Sequence, residues 1–161
     1  MQINYAQAGS MIPKSGEDAP DFSLKDFSGK EFTLSTELRD KKAVLLWFTN
    51  LCQGCQLKLP EMEKIKNIYD EKGIEVVAVS VLGEDEKTVE NIIRKKRLTL
   101  RFLYDPINMV TDSFGGGHSI GVCPLRNLFL IGKDRKTLYI GRYPGAEESE
   151  ILYQLNKVLE T

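Results

Sequence analysis

Long apolar runs are missing from this chain. No stretch of its 161 residues is apolar for long enough to span a bilayer. A basic surplus is missing too: 22 Lys plus Arg stand against 23 Asp plus Glu, for a formal charge of −1. That balance argues against a general binder of nucleic acid or of anionic membranes. Cysteine is scarce, with three residues, which is too few for a disulfide scaffold. Histidine is scarcer, with His118 alone; a four-ligand zinc site would need ligands beyond the three cysteines, and neither a metal nor a cofactor is expected. The opening residues Met1 to Ser10 show no basic region followed by an apolar core. That favours the cytoplasm, while export would fit a chain whose leader had been removed. Internal repeats, low-complexity segments and interdomain linkers are not seen.

What is present reads as a folded domain. Apolar residues make up 42% and charged residues 28%, which excludes disorder of the whole chain. A chain of this length buries roughly 70% of the surface it exposes when unfolded. Residues 1–15 lack periodicity and carry Gly9, Ser10 and Pro13, so they read as a flexible lead-in, with a domain over 16–161. Gly9, Ser10 and Met11 look like a cloning junction, which would make Met11 the natural start.

Phe22 to Leu24 and Glu31 to Leu34 alternate apolar and polar around a turn, predicting a short hairpin. Ala43 to Phe48 is a continuous apolar run and predicts a strand buried on both faces. From Gln53 to about Tyr69 the spacing of Leu59, Met62 and Ile65 predicts a helix, ended by Gly73. Ile74 to Val81 is a second buried strand, Asp85 to Arg97 a charged helix, Leu100 to Leu103 a short strand, and Pro106 to Phe114 a short helix. Gly115 to His118 reads as a flexible turn. Leu128 to Ile131 and Thr137 to Ile140 form a hairpin, and Glu147 to Leu159 is the last helix. Alternating strands and helices predict an α/β fold whose sheet has parallel strands, helices on both faces and an antiparallel edge.

Cys52 and Cys55 form a C-x-x-C where the buried strand hands over to the helix. The first turn of a helix has unpaired N–H groups and a partial positive charge, and both favour thiolate over thiol. Cys55 lies about one turn later on the same face, within disulfide reach. Such a pair can attack a substrate disulfide through Cys52 and release the mixed disulfide through Cys55. Cys123 is distant in sequence and reads either as a small buried hydrophobe or as a third redox thiol. His118 reads as an exposed loop residue, Trp47 as core, and Arg94 to Arg97 as a solvated helix end.

The segment from Trp47 to Pro60, with C-x-x-C after a buried strand and a proline five residues after Cys55, resembles the active-site segment of the thioredoxin superfamily. Gly16 to Leu24 resembles the entry of the branch that holds TlpA/ResA-like thiol–disulfide oxidoreductases and AhpC/TSA (peroxiredoxin) proteins. Gly121 and Val122 followed by Arg126 to Ile131 resemble that branch's return strand. The resemblance covers residues 16 to 160. It implies a thioredoxin-like fold, with a central mixed sheet, helices on both faces and an N-terminal β-hairpin extension. Within the branch the residues are a hybrid. Cys55 and Pro60 follow the oxidoreductases. Arg126 aligns where those proteins carry a cis-proline and peroxiredoxins carry an arginine, and Pro124 is displaced by two residues. Thr49 to Cys52 matches the T-x-x-C half of the peroxiredoxin motif, but Leu45 stands where that motif has proline.

Two functions follow as expectations. The first is thiol–disulfide exchange, with protein or small-thiol substrates. The second is a thiol peroxidase, with Cys52 peroxidatic, Thr49 and Arg126 supporting the thiolate or peroxide, and Cys55 or Cys123 resolving. A monomer and a homodimer both fit. A binding module that keeps the fold for protein contact is the reading outside catalysis.

Overall fold

The computed structural model describes residues 14–51, 53–81, 86–115 and 126–160. Among them the elements run β1 (Ser23–Asp26), β2 (Glu31–Thr33), α1 (Leu34–Asp40), β3 (Ala43–Thr49), α2 (Gln53–Asp70), β4 (Ile74–Ser80), α3 (Glu86–Lys95), β5 (Arg101–Tyr104), α4 (Met109–Ser113), β6 (Leu128–Gly132), β7 (Thr137–Gly141) and α5 (Glu148–Leu159). The strands form one sheet in the order β2-β1-β5-β4-β3-β6-β7. Strands β3, β4 and β5 are mutually parallel, while β6 and β1 run antiparallel to their neighbours. The two expected hairpins therefore sit at opposite edges of a parallel centre.

All seven residues of β3 are buried. Their side chains alternate between two cores, as a period of two requires. Ala43, Leu45 and Trp47 join Leu128 and Leu130 under α2, α3 and α5, which contribute Leu59, Met62, Val89, Ile151 and Leu155. Val44, Leu46 and Phe48 join Phe129 and Ile131 on the other face, with Leu34 and Leu38 of α1 and with Val110 of α4 and Phe114. The pairings Leu45↔Leu130 and Leu46↔Phe129 keep each cross-strand pair on a single face. On the second face Phe48, Phe114 and Phe129 meet edge-on or tilted, with ring centres 5.2–5.8 Å apart.

Helix α1 departs from the sequence reading, which ended the hairpin at Leu34 and placed no helix before β3. Seven residues hold only one i, i+4 apolar pair, Leu34 and Leu38, too little periodicity to show as a helix. Helix α4 begins at Met109 rather than Pro106, because Asn108 takes a left-handed conformation (φ 59°) just ahead of it. Gly73 does close α2: it sits at φ 91°, where other residues are strained, and its carbonyl accepts the Lys42 N–H at 2.7 Å. Residues 16–19 are tied to the β6–β7 hairpin. Gly16 N–H donates to Thr137 O, Thr137 N–H to Glu17 O, and Ala19 N–H to Arg135 O, at 2.7–2.8 Å.

Two polar groups inside this frame control its stability. Arg101 opens β5 and ties three elements together. It reaches Asp26 at 2.9 Å, Glu75 at 3.3 Å and Glu37 at 3.4 Å. Burial, and then the neighbouring Glu37 carboxyl, push the Glu75 carboxyl up to about 7, against the pull of Arg101 and Lys41. Its Oε2 has no hydrogen-bond partner among the described residues. The second group is Asn127, one residue before β6. Its Nδ2 donates to Phe48 O at 2.9 Å and to Tyr143 O at 2.7 Å, and its Oδ1 accepts Tyr143 N–H at 2.8 Å.

An acid whose pKa is raised by folding binds its proton more tightly in the native state. Its contribution is therefore favourable at low pH and is lost as pH rises from the unfolded value of 4.5 through about 7. Glu75→Gln removes that loss. Urea midpoints are expected to show the parent falling between pH 5 and pH 8 by the equivalent of ~1–3 kcal/mol more than the variant. Asn127→Ala leaves Phe48 O and Tyr143 N–H without partners, and chemical denaturation is expected to show a loss of about 2–4 kcal/mol.

Candidate functional site

Strand β3 is apolar until it reaches the edge of the sheet, where polar residues become affordable. Thr49 ends the strand, fully buried, and its carbonyl accepts Val81 N–H at 3.1 Å. Its Oγ1 accepts Leu51 N–H at 3.0 Å, which folds the chain back on itself. Asn50 and Leu51 are also buried, and Leu51 sits at φ 56°, uncommon for a branched side chain. Leu51 O accepts the Gln56 Nε2–H at 2.8 Å, so the first turn of α2 is clipped to the loop that precedes it. The turn from strand to helix is thus held by three hydrogen bonds on the two sides of Cys52. Cys52 itself lies outside the described residues, as do Cys123, Pro124 and His118.

Cys55 is the third residue of α2 and is buried, with 1% of its surface exposed. It shares a cluster with Trp47, Leu51, Leu59 and Tyr143. Its thiol faces Asn50 Oδ1 at 3.9 Å, a long contact that suits the weak S–H donor. Pro60 lies inside α2, five residues on, and supplies no N–H to the Gln56 carbonyl. Thr49 and Cys55 are therefore brought to one end of β3. Arg126 approaches from the other side. The antiparallel register Trp47↔Leu128 continues through the Phe48 N–H bond to Asn127 O at 2.8 Å. One step further sets residue 126 level with Thr49. Its side chain is exposed.

Four residues of this region had no signal in the sequence. Asn50 has the look of a turn residue, Asn127 of a strand entry, Tyr143 of a turn before Pro144, and Glu61 of a solvated helix charge. Asn50 meets Cys55 five residues on, and the significance of the other three comes from pairings 16 to 96 residues apart. Trp47 Nε1–H donates to Tyr143 O at 2.9 Å, the two rings meet edge-on at 5.2 Å, and the Tyr143 hydroxyl donates to Glu61 Oε1 at 2.7 Å. Burial, and then the hydrogen bond to Glu61 and its charge, hold the Tyr143 phenol far above its ordinary pKa, so it stays neutral. Among the described residues no group of three or more His, Cys, Asp or Glu is arranged to hold a metal ion, and no helix is long and apolar enough to cross a membrane.

Comparison with known proteins places this geometry. The chain is 35% identical over 121 residues to the thiol-disulfide oxidoreductase ResA of Geobacillus thermodenitrificans, a match that covers 75% of this chain and 65% of that protein. The chain thus spans about two thirds of the length of that relative. A solved structure from Bacteroides thetaiotaomicron, described as a candidate protein disulfide isomerase, superposes with a TM-score of 0.77 at 25% identity, covering 93% of this chain and 92% of the other. The peroxidoxin BcpB of Mycobacterium tuberculosis superposes with a TM-score of 0.73 at 23% identity, covering 92% and 97%. The fold is thioredoxin-like, as expected from the sequence. The AhpC/TSA family pattern matches residues 15–140, most of the described sheet and the whole region around Cys52 and Cys55. This chain belongs to the AhpC/TSA family.

Proposed function

We propose that this chain is a thiol–disulfide oxidoreductase, with Cys52 as nucleophile and Cys55 as resolving thiol. The observation that carries the reading is the buried Cys55 on the first turn of α2, three residues after Cys52, at a strand end braced by hydrogen bonds on both sides. The relationship to ResA supports it. The Cys52 thiolate attacks one sulfur of a substrate disulfide. A mixed disulfide forms and the other substrate thiolate leaves. Cys55 loses its proton and attacks the Cys52 sulfur. The second substrate thiolate then departs, and the Cys52–Cys55 disulfide holds the two oxidising equivalents. The reverse sequence oxidises a dithiol. Substrates are thiol or disulfide proteins, or small thiols.

The division of labour follows from position. Cys52 precedes α2, where the helix N-terminus favours an anion. Cys55 is shielded by the Trp47–Tyr143 cluster, which protects it from outside reagents and leaves Cys52 as its natural target. Thr49 orients the loop, and its hydroxyl hydrogen is not used in the bond from Leu51. Arg126, level with Thr49, is a cation for the thiolate that leaves or attacks.

The same register favours a second reading, a thiol peroxidase. There the Cys52 thiolate attacks one peroxide oxygen, the O–O bond breaks and hydroxide leaves as Cys52 becomes a sulfenic acid. Cys55 or Cys123 then attacks that sulfur and releases water as a disulfide forms.

Cys52→Ser is expected to abolish exchange with oxidised glutathione, and mass mapping of the oxidised parent is expected to recover a Cys52–Cys55 disulfide; exchange that survives in the variant overturns the assignment. Stopped-flow Trp47 fluorescence on the reduced protein mixed with hydrogen peroxide decides the second reading. Thiol peroxidase activity would appear as consumption far faster than that of an ordinary thiolate, slowed about tenfold or more by Arg126→Ala. A parent rate no faster than an ordinary thiolate leaves exchange as the function.

A further inference from the structure

Helix α5 and the β6–β7 turn leave a cavity between them that the thiol chemistry does not use. Its volume is about 400 Å³, within the range of about 300–1,000 Å³ that holds small molecules. The floor is apolar. Leu138 of β7 lines it with 43% of its surface exposed, and Val158 of α5 lines it half-buried. Gly132, at the end of β6, keeps the space open: an added Cβ there would stand 3.1 Å from Leu138 Cδ1. The wall is cationic. Lys42 comes from the entry of β3, Lys133 from the β6–β7 turn and Lys157 from the last turn of α5. Lys133 Nζ is engaged, donating to Arg39 O at 2.7 Å and to Leu38 O at 3.4 Å at the end of α1. Lys42 and Lys157 form no ion pair or side-chain hydrogen bond among the described residues. Asp134 is the carboxylate on this wall, and its Oδ1 is turned to its own loop, accepting Lys136 N–H at 3.1 Å. The wall therefore carries a positive excess in a chain whose formal charge is −1.

We propose that this cavity binds a small amphiphilic carboxylate, its aliphatic body against Leu138 and Val158 and its anionic head between Lys42 and Lys157. Each half of such a ligand answers one feature of the wall. Lysines lay their stems along apolar surface and hold the charge in water, so the cavity offers hydrocarbon inside and charge at its mouth. A neutral hydrocarbon would leave the two lysines unmatched, and a bare anion would leave Leu138 in water. A concave site of this size suits a small molecule rather than the face of another protein. The position separates it from the thiols. Gly132 pairs with Ala43 at the start of β3. Thr49 closes the other end of that strand, roughly 20 Å away at about 3.3 Å per residue. An occupant therefore does not compete with a thiol or disulfide substrate, and the site adds a binding function to the chain beyond exchange.

The test titrates the 15N-labelled full chain with sodium octanoate and follows the amide shifts. Saturable shifts are expected at Gly132, Lys133, Leu138 and Val158, with a Kd on the order of 1 mM. Lys42→Gln/Lys157→Gln removes two exposed charges and is expected to weaken binding by about tenfold. Leu138→Glu puts an anion on the floor and is expected to abolish binding, while the rest of the amide spectrum keeps the parent's dispersion. Octanol, of the same length without the charge, is expected to bind the parent about tenfold more weakly than octanoate. The absence of saturable shifts at these amides overturns the proposal. So does octanol binding as tightly as octanoate, or a double lysine variant that binds octanoate as the parent does. The titration involves no thiol, so its failure is separate from failure of the exchange assay on Cys52→Ser.

Discussion

A strand buried on both faces has no place for a polar side chain until it ends, and that constraint on β3 organises the whole molecule. Its seven residues supply both cores, so helices must cover both faces of the sheet. Chemistry is then pushed to the strand's C-terminal end, where Thr49 and Asn50 are the first polar residues the chain can bury with partners. The helix that follows begins there too, and its N-terminal turn favours an anion. Location of the site is thus a consequence of burial.

The clamp around Asn127 turns that location into a defined geometry. One side chain, at the entry of β6, bonds the end of β3 and the main chain of Tyr143. Tyr143 in turn takes the Trp47 indole N–H and reaches α2 through Glu61. These bonds lie in an apolar setting, where an unpaired group is costly, so they hold one arrangement rather than several. The spacing between α2, which carries Cys55, and the segment entering β6, which holds Arg126, is set by this clamp.

The opposite end of the sheet uses charge differently. Arg101 gathers Asp26, Glu37 and Glu75, and so fastens the N-terminal hairpin and α1 to the parallel strands. Burial of Glu75, with the Glu37 carboxyl beside it, outweighs the cations, which is why Glu75 holds its proton to about 7. The cation that attaches the hairpin is therefore shared with a carboxyl that titrates near neutrality, at the opposite end of β3 from Cys55.

Much of this was legible in residue order. The apolar run at Ala43 to Phe48, the helical spacing after Gln53 and the C-x-x-C between them determined the central strand, the helix and the dithiol, because local periodicity and helix-end electrostatics need only neighbours. The resemblance of Trp47 to Pro60 carried the fold for the same reason. Helix α1 was not legible, since a single Leu34–Leu38 pair is no period. Nor were Asn127, Tyr143, Glu61 and Glu75: each is an ordinary polar residue until a partner distant in sequence is brought against it in a dry setting. Tertiary structure alone decided those pairings, because the energy of a buried polar group depends on what surrounds it and not on what precedes it in the chain.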